Sequence, residues 1–199
     1  PEGVEEGIVR GLYPLKKSAK KGKKRVQLMS AGTITREVEA AAVILEKDYG
    51  VAADIWSMTS VNELARDGHK VSRRNMMNPA EEPEVPYVTQ CLAPTEGPII
   101  AATDYIRAHT NQIREFMPRS FTVLGTDGFG RSDTRAQLRE FFEVDRRYVV
   151  LAAMTALADE GVVSRADGAK VMTDLGIDPA KPDPTTCLLY TSDAADDGV

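Results

Sequence analysis

Two rhythms of apolar residues run along this chain: short β-branched runs, and longer stretches in which an apolar side chain returns every three or four positions. The first rhythm predicts strands and the second predicts amphipathic helices. Val4 to Tyr13 carries Ile8, Val9 and Leu12 among charges, a short helix that Pro14 should stop. Val26 to Ser30 is a predicted strand. Gly32-Thr33 turns it into a helix whose Ile34, Val38, Ala41, Leu45 and Tyr49 recur at helical intervals, with Gly50 as its C-terminal cap. Ala52 to Met58 is a second strand, and Ser60 with Glu63 has the form of a capping box opening a helix toward Met76. After an acidic, proline-rich loop, Tyr87 to Leu92 is expected as an edge-like strand and Pro98 to Thr103 as another. A helix follows from Asp104 through Ile106, Ile113 and Phe116 to Pro118. Phe121 to Leu124 makes the last strand, and Tyr148 to Leu157 a helix with a buried face ending at Gly161. Ser164 and Asp167 cap a final helix that fades at Gly176. The order predicts an α/β, three-layer Rossmann-like domain with a mostly parallel sheet of about five strands.

The stretch Phe121-Thr-Val-Leu-Gly-Thr-Asp-Gly-Phe-Gly-Arg-Ser-Asp-Thr-Arg135 organises the rest. Gly125, Gly128 and Gly130 are expected to permit positive φ where the chain leaves the sheet, and Ser132 or Asp133 to cap a helix bearing Leu138, Phe141 and Phe142. The loop therefore sits at the carboxyl end of a strand, where open α/β sheets keep functional loops.

Composition narrows the function classes. A net charge of −5 and a pI near 5.2 over 199 residues argue against general nucleic-acid binding. No apolar stretch is long enough to span a membrane and no signal peptide opens the chain, so a cytoplasmic protein is expected. Cys91 and Cys187 lack companion ligand spacing. Lys16 to Arg25 is the densest charge run; it reads as a solvated loop, or else as a docking surface for an acidic partner.

No residue set supplies a nucleophile, a base and an anion hole together. Gly125-x-x-Gly128-x-Gly130 reverses the dinucleotide spacing and follows the last strand, so a phosphate cradle is weakly supported. His69 and His109 fall on separate helices without a second ligand, and suit surface or packing roles. Asn62 to Gly68 reads as an ion-paired helix face, and Trp56 and Met58 as core. No catalytic, cofactor-binding or metal-binding residue is assigned. The alternating charges favour an interface loop whose contact residues are Asp127, Phe129, Arg131, Asp133 and Arg135.

Four segments share one family likeness: Val26 to Ala41, Asp48 to Val51, Asp54 to Gly68 and Val123 to Asp133. In this order they resemble the carboxy-terminal domain of the homodimeric, bacterial-type pyruvate dehydrogenase decarboxylating component, a transketolase-like thiamine-diphosphate enzyme. The likeness runs from about Pro1 to about Asp183. It implies a whole enzyme that decarboxylates pyruvate and reductively acetylates the lipoyl group of an acetyltransferase component. It also implies that thiamine diphosphate and magnesium are held by upstream domains and none by this fragment, which serves dimerisation and domain support. The implied partners are those missing upstream domains, the homodimer mate and the lipoyl-bearing acetyltransferase component, with no nucleic acid and no membrane. The expected division is residues 1–24 as a lead-in helix and basic loop, 25–178 as the α/β domain, and 179–199 as a disordered tail. From about Cys187 that tail resembles translated sequencing adapter. The rival reading is a stand-alone α/β module binding an anionic ligand at Gly125 to Gly130.

Overall fold

The computed structural model describes residues 1–186, so the tail expected from Cys187 onward lies outside the described residues. The chain runs α1 (Glu5–Arg10), β1 (Leu12–Lys16), β2 (Arg25–Ser30), a 3₁₀ turn (Gly32–Ile34), α2 (Thr35–Asp48), β3 (Ala52–Met58) and α3 (Val61–Met77). It continues with α4 (Tyr87–Leu92), β4 (Ile99–Ala102), α5 (Arg107–Asn111), a second 3₁₀ turn (Arg114–Phe116), β5 (Phe121–Leu124), α6 (Arg135–Phe141), α7 (Arg146–Asp159) and α8 (Arg165–Asp174). The sheet order is β1-β3-β2-β4-β5, with β1 antiparallel to β3 and every other pair parallel. Helices cover both faces, the three-layer architecture expected.

Strand periodicity sorts the core into two layers. Val26, Leu28, Ala53, Ile55, Ile100 and Ala102 point to α2, α7 and α8. Met29, Trp56, Met58, Ile99, Ala101, Phe121 and Val123 point to α3, α4 and the second 3₁₀ turn. Because the central strands are buried on both faces, they read as near-continuous apolar runs.

Three expectations are corrected. Tyr87–Leu92 is a helix, not a strand: Val88 and Leu92 are fully buried four residues apart, and Asp67 Oδ2 accepts from the Tyr87 amide at 2.7 Å. The prolines that suggested an edge strand instead precede a helix start. The first helix stops at Arg10 rather than Tyr13, because Gly11 takes φ 100°, and Leu12–Lys16 becomes the true edge strand. Pro14 is tolerated there, where the register also shifts between Pro14 and Lys16. The helix expected from Asp104 to Pro118 is reduced to α5 and a separate 3₁₀ turn, since Ile106 is extended and the Tyr105 amide donates to Thr103 Oγ1.

Caps agree in part. Ser164 and Asp167 form the full reciprocal box. Ser60 accepts from the Glu63 amide, but the Glu63 carboxylate pairs with Arg66 at 2.5 Å. For α6 the cap is Thr134, which accepts from the Gln137 amide, not Ser132 or Asp133. Residues 179–186 lie against the end of α6: Lys181 donates to the Phe141 carbonyl at 2.8 Å and pairs with Glu143 at 2.9 Å.

The amino ends of the strands are closed by buried polar groups. Asp54 is 4% exposed and accepts from Arg25 at 2.7 Å, from the Ser18 amide at 2.9 Å and from Gln27 at 3.0 Å. Trp56 Nε1 donates to Gln27 Oε1 at 2.8 Å, and Gln27 also donates to the Glu96 carbonyl. Burial pushes the Asp54 pKa up, yet the Ser18, Arg25 and Gln27 donors outweigh it and the net shift is downward. Nearby, Arg119 donates to the carbonyls of Gly97 and Leu92 and to Thr95 Oγ1.

Candidate functional site

The carboxyl ends are built differently. The sheet changes winding direction between β2 and β4, and beyond that point opens a cleft of about 610 Å³. Its walls are Thr33 and Ile34 after β2, Asp104 after β4, Thr126, Gly128 and Gly130 after β5, then Asp133, Arg135, Leu138, Arg139, Phe142 and Val144.

Hydrogen bonds tie these connections to one another. Asp104 Oδ2 accepts from Thr33 Oγ1 at 3.0 Å, and the Asp104 carbonyl accepts from Thr126 Oγ1 at 2.8 Å. The Thr126 amide donates to the Tyr105 carbonyl at 3.0 Å. On the other wall, Glu37 is 7% exposed and accepts from Arg139 at 2.9 Å and from Arg146 Nε at 2.8 Å. Arg139 also donates to the Thr33 carbonyl at 3.3 Å. One carboxylate thus holds α6 and the start of α7 against α2. Burial works to raise the Glu37 pKa; the hydrogen bonds and charge of Arg146, with Arg139, carry it below the usual value.

The five proposed contact residues separate into different roles. Asp127 is turned inward, accepting from the Arg107 amide at 3.3 Å and pairing with Arg107 Nε at 2.5 Å. Phe129 stands at the loop tip, 68% exposed. The Arg131 guanidinium lies 4.3 Å from the Phe141 ring centroid. Asp133 accepts from the Thr134 amide at 2.7 Å, and Arg135 opens α6 on the cleft wall. Of the three glycines expected at positive φ, only Gly128 has it, at 112°. Gly125 is needed for close approach instead, since a Cβ there would lie 2.6 Å from the Tyr105 carbonyl oxygen.

Sequence reasoning missed Tyr105 and Ile106, 59% and 53% exposed after β4, because an expected helix hid them. His109 packs beside Tyr105 with ring centroids 4.9 Å apart, and His69 meets Glu115 at 3.5 Å and the edge of Phe116. Neither histidine lines the large cleft. Cys91 belongs to α4, where burial pushes its thiol pKa up, away from reactivity. Among the described residues no group of three or more His, Cys, Asp or Glu is arranged to hold a metal ion.

Residues 11–145, from β1 through the cleft to the start of α7, match the family description of the transketolase-like TK C-terminal domain. The chain belongs to this family. As a transketolase-like C-terminal domain it is 52% identical over 185 residues to the pyruvate dehydrogenase E1 component of Cupriavidus necator, covering 92% of this chain and 21% of that protein. It is 50% identical over 188 residues to the protein of the same name from Pseudomonas aeruginosa, covering 94% and 21%. The domain thus spans about a fifth of the length of these relatives. Among solved structures, Campylobacter jejuni transketolase superposes with a TM-score of 0.50 at 20% identity, covering 73% of this chain and 18% of that one, a likeness of fold.

Proposed function

We propose that this domain is the third, non-catalytic domain of a pyruvate dehydrogenase decarboxylating subunit, and that its carboxyl edge is a contact face. The carrying observation is the half identity over nine-tenths of the chain to relatives about five times longer. In this reading the whole enzyme works in the cytoplasm as a homodimer and passes the acetyl group to a lipoyl-bearing acetyltransferase component. Thiamine diphosphate with magnesium would supply the electron sink for decarboxylation. The described residues do not fit that group, because the carboxylates around the glycine-rich loop are already engaged: Asp127 pairs with Arg107, Asp104 accepts from Thr33 Oγ1 and Asp133 accepts from the Thr134 amide. No step of the reaction is routed through this domain.

What the domain offers is a surface. Phe129, after β5, and Tyr105 and Ile106, after β4, expose apolar area on connections leaving the carboxyl ends of neighbouring strands, and Arg135 lines the cleft at those ends, the mix of aromatic and arginine residues that anchors interfaces. The partner in this reading is an upstream domain or the dimer mate. With pyruvate, thiamine diphosphate and magnesium, the complete gene product is expected to turn over and the 199-residue chain alone to show no activity. Turnover by the chain alone sinks the reading. In the complete protein, Phe129→Ala is expected to weaken subunit or domain association about tenfold, read by analytical ultracentrifugation and limited proteolysis. Unchanged association and unchanged protease resistance would remove Phe129 from the contact.

The rival, an anionic-ligand module, draws support from the cleft and from Arg135. Against it, Asp104 and Asp133 stand in the same wall, and Arg139 is already neutralised by Glu37. Titration of the chain with sugar phosphates, read by thermal shift, separates the two readings.

A further inference from the structure

The loop between β1 and β2 is left unexplained by the domain-support reading. Residues 16–25 carry seven cations and no acid, in a chain whose net charge is −5. Lys16, Lys17, Lys20, Lys21, Lys23 and Lys24 are all exposed. Their backbone is held in place: the Ser18 amide donates to Asp54, Arg25 clamps the same carboxylate and also reaches the Lys20 carbonyl, and Lys20 Nζ donates to the Glu46 carbonyl. Among the described residues, no ion pair joins Lys17, Lys21 or Lys23 to a carboxylate.

Edge protection does not account for these charges. Lysine commonly blunts an exposed strand edge. Here Pro14 and the register shift already interrupt β1, and every lysine but Lys16 lies beyond the strand. Like charges packed this closely repel one another, so the arrangement gains from a complementary surface.

We propose that this anchored loop docks an acidic protein segment, a run of Asp and Glu side chains on a partner protein. Single-stranded nucleic acid is disfavoured because no aromatic residue is interleaved on which a base could stack. An extended polyanion, whether a duplex or an anionic bilayer, would also meet the excess acid of the remaining surface, and the loop has no large apolar side chain to insert. A short carboxylate-bearing segment meets only the lysines.

The test uses the complete protein carrying this domain, with a short poly-L-glutamate peptide as probe, beside duplex DNA and vesicles containing phosphatidylglycerol. Poly-L-glutamate is expected to bind at low salt, weakening at least about tenfold between about 50 and about 200 mM salt. The triple variant Lys17→Gln, Lys21→Gln, Lys23→Gln removes cations that hold no fold contact. It is expected to lose about tenfold in affinity with its melting temperature unchanged. The control Arg36→Gln, Lys70→Gln, Arg73→Gln removes the same charge from the exposed faces of α2's first turn and of α3, and is expected to bind as the parent does. The proposal is overturned if poly-L-glutamate fails to bind at low salt, if the two triple variants bind equally, or if DNA or vesicles bind the loop more tightly than poly-L-glutamate.

Discussion

A Gly97→Ala variant is expected to lose about 4 kcal/mol of stability, a large part of the ~5–15 kcal/mol that holds a typical domain together. Gly97 has φ 79°, and a Cβ built on it would lie 1.7 Å from the Arg25 carbonyl oxygen. The left-handed angle alone costs an L-residue about 1–2 kcal/mol. The clash is with backbone, so relief requires the chain before β4 to move away from β2. That movement reaches the closed end of the sheet: Gln27 donates to the carbonyls of Glu96 and Pro98, and Arg119 donates to that of Gly97. In calorimetry the melting temperature should fall by about 8–16 °C, at about 2–4 °C per kcal/mol for a domain of this size. Gly50→Ala is the control, since Gly50 has φ 68° with nothing within 4 Å of its added Cβ. If both variants melt alike, the close approach of Gly97 to Arg25 carries no weight.

Glu37→Ala is expected to cost about 3 kcal/mol, because removing one partner of a buried ion cluster strands the others. Arg139 is the group left behind: its side chain is 14% exposed and its other contact is the Thr33 carbonyl. The pH dependence follows from the direction of the shift. Glu37 is more acidic folded than unfolded, so its contribution is complete above the ordinary carboxylate value of 4.5 and is lost as pH falls through the lower, folded value. Asp54 adds a second loss in the same direction, below its ordinary 3.8. Chemical denaturation should therefore show the parent and the Glu37→Ala variant converging as pH drops below about 4. A stability gap that stays constant to pH 3 would mean the carboxylate charge contributes nothing.

The buried parallel strands were legible from sequence because burial on both faces writes them as apolar runs. Tyr87–Leu92 was misassigned because six residues give barely more than one helical turn of periodicity, and the flanking prolines suit an edge strand as well as a helix start. Leu12–Lys16 was missed for the opposite reason. Pro14 is a reliable helix stop, and nothing local announces that the chain beyond it pairs with Met58 to Ile55. The interface loop was found by its glycines and charges, yet its sequence could not say which charges turn inward. Asp127 faces Arg107 across 20 positions, and Glu37 faces Arg139 across 102. Such pairings depend on topology, which no spacing rule carries.

The antiparallel edge also sets an order of events during synthesis. Leu12–Lys16 leaves the ribosome before the strand it pairs with, and at ~5–20 residues per second it waits for several seconds until Ile55 to Met58 emerge. Through that interval it is a bare apolar segment with no neighbour to cover Leu12. Pro14 denies it one backbone donor for pairing with other chains. A single residue thus guards the nascent segment until its partner strand arrives.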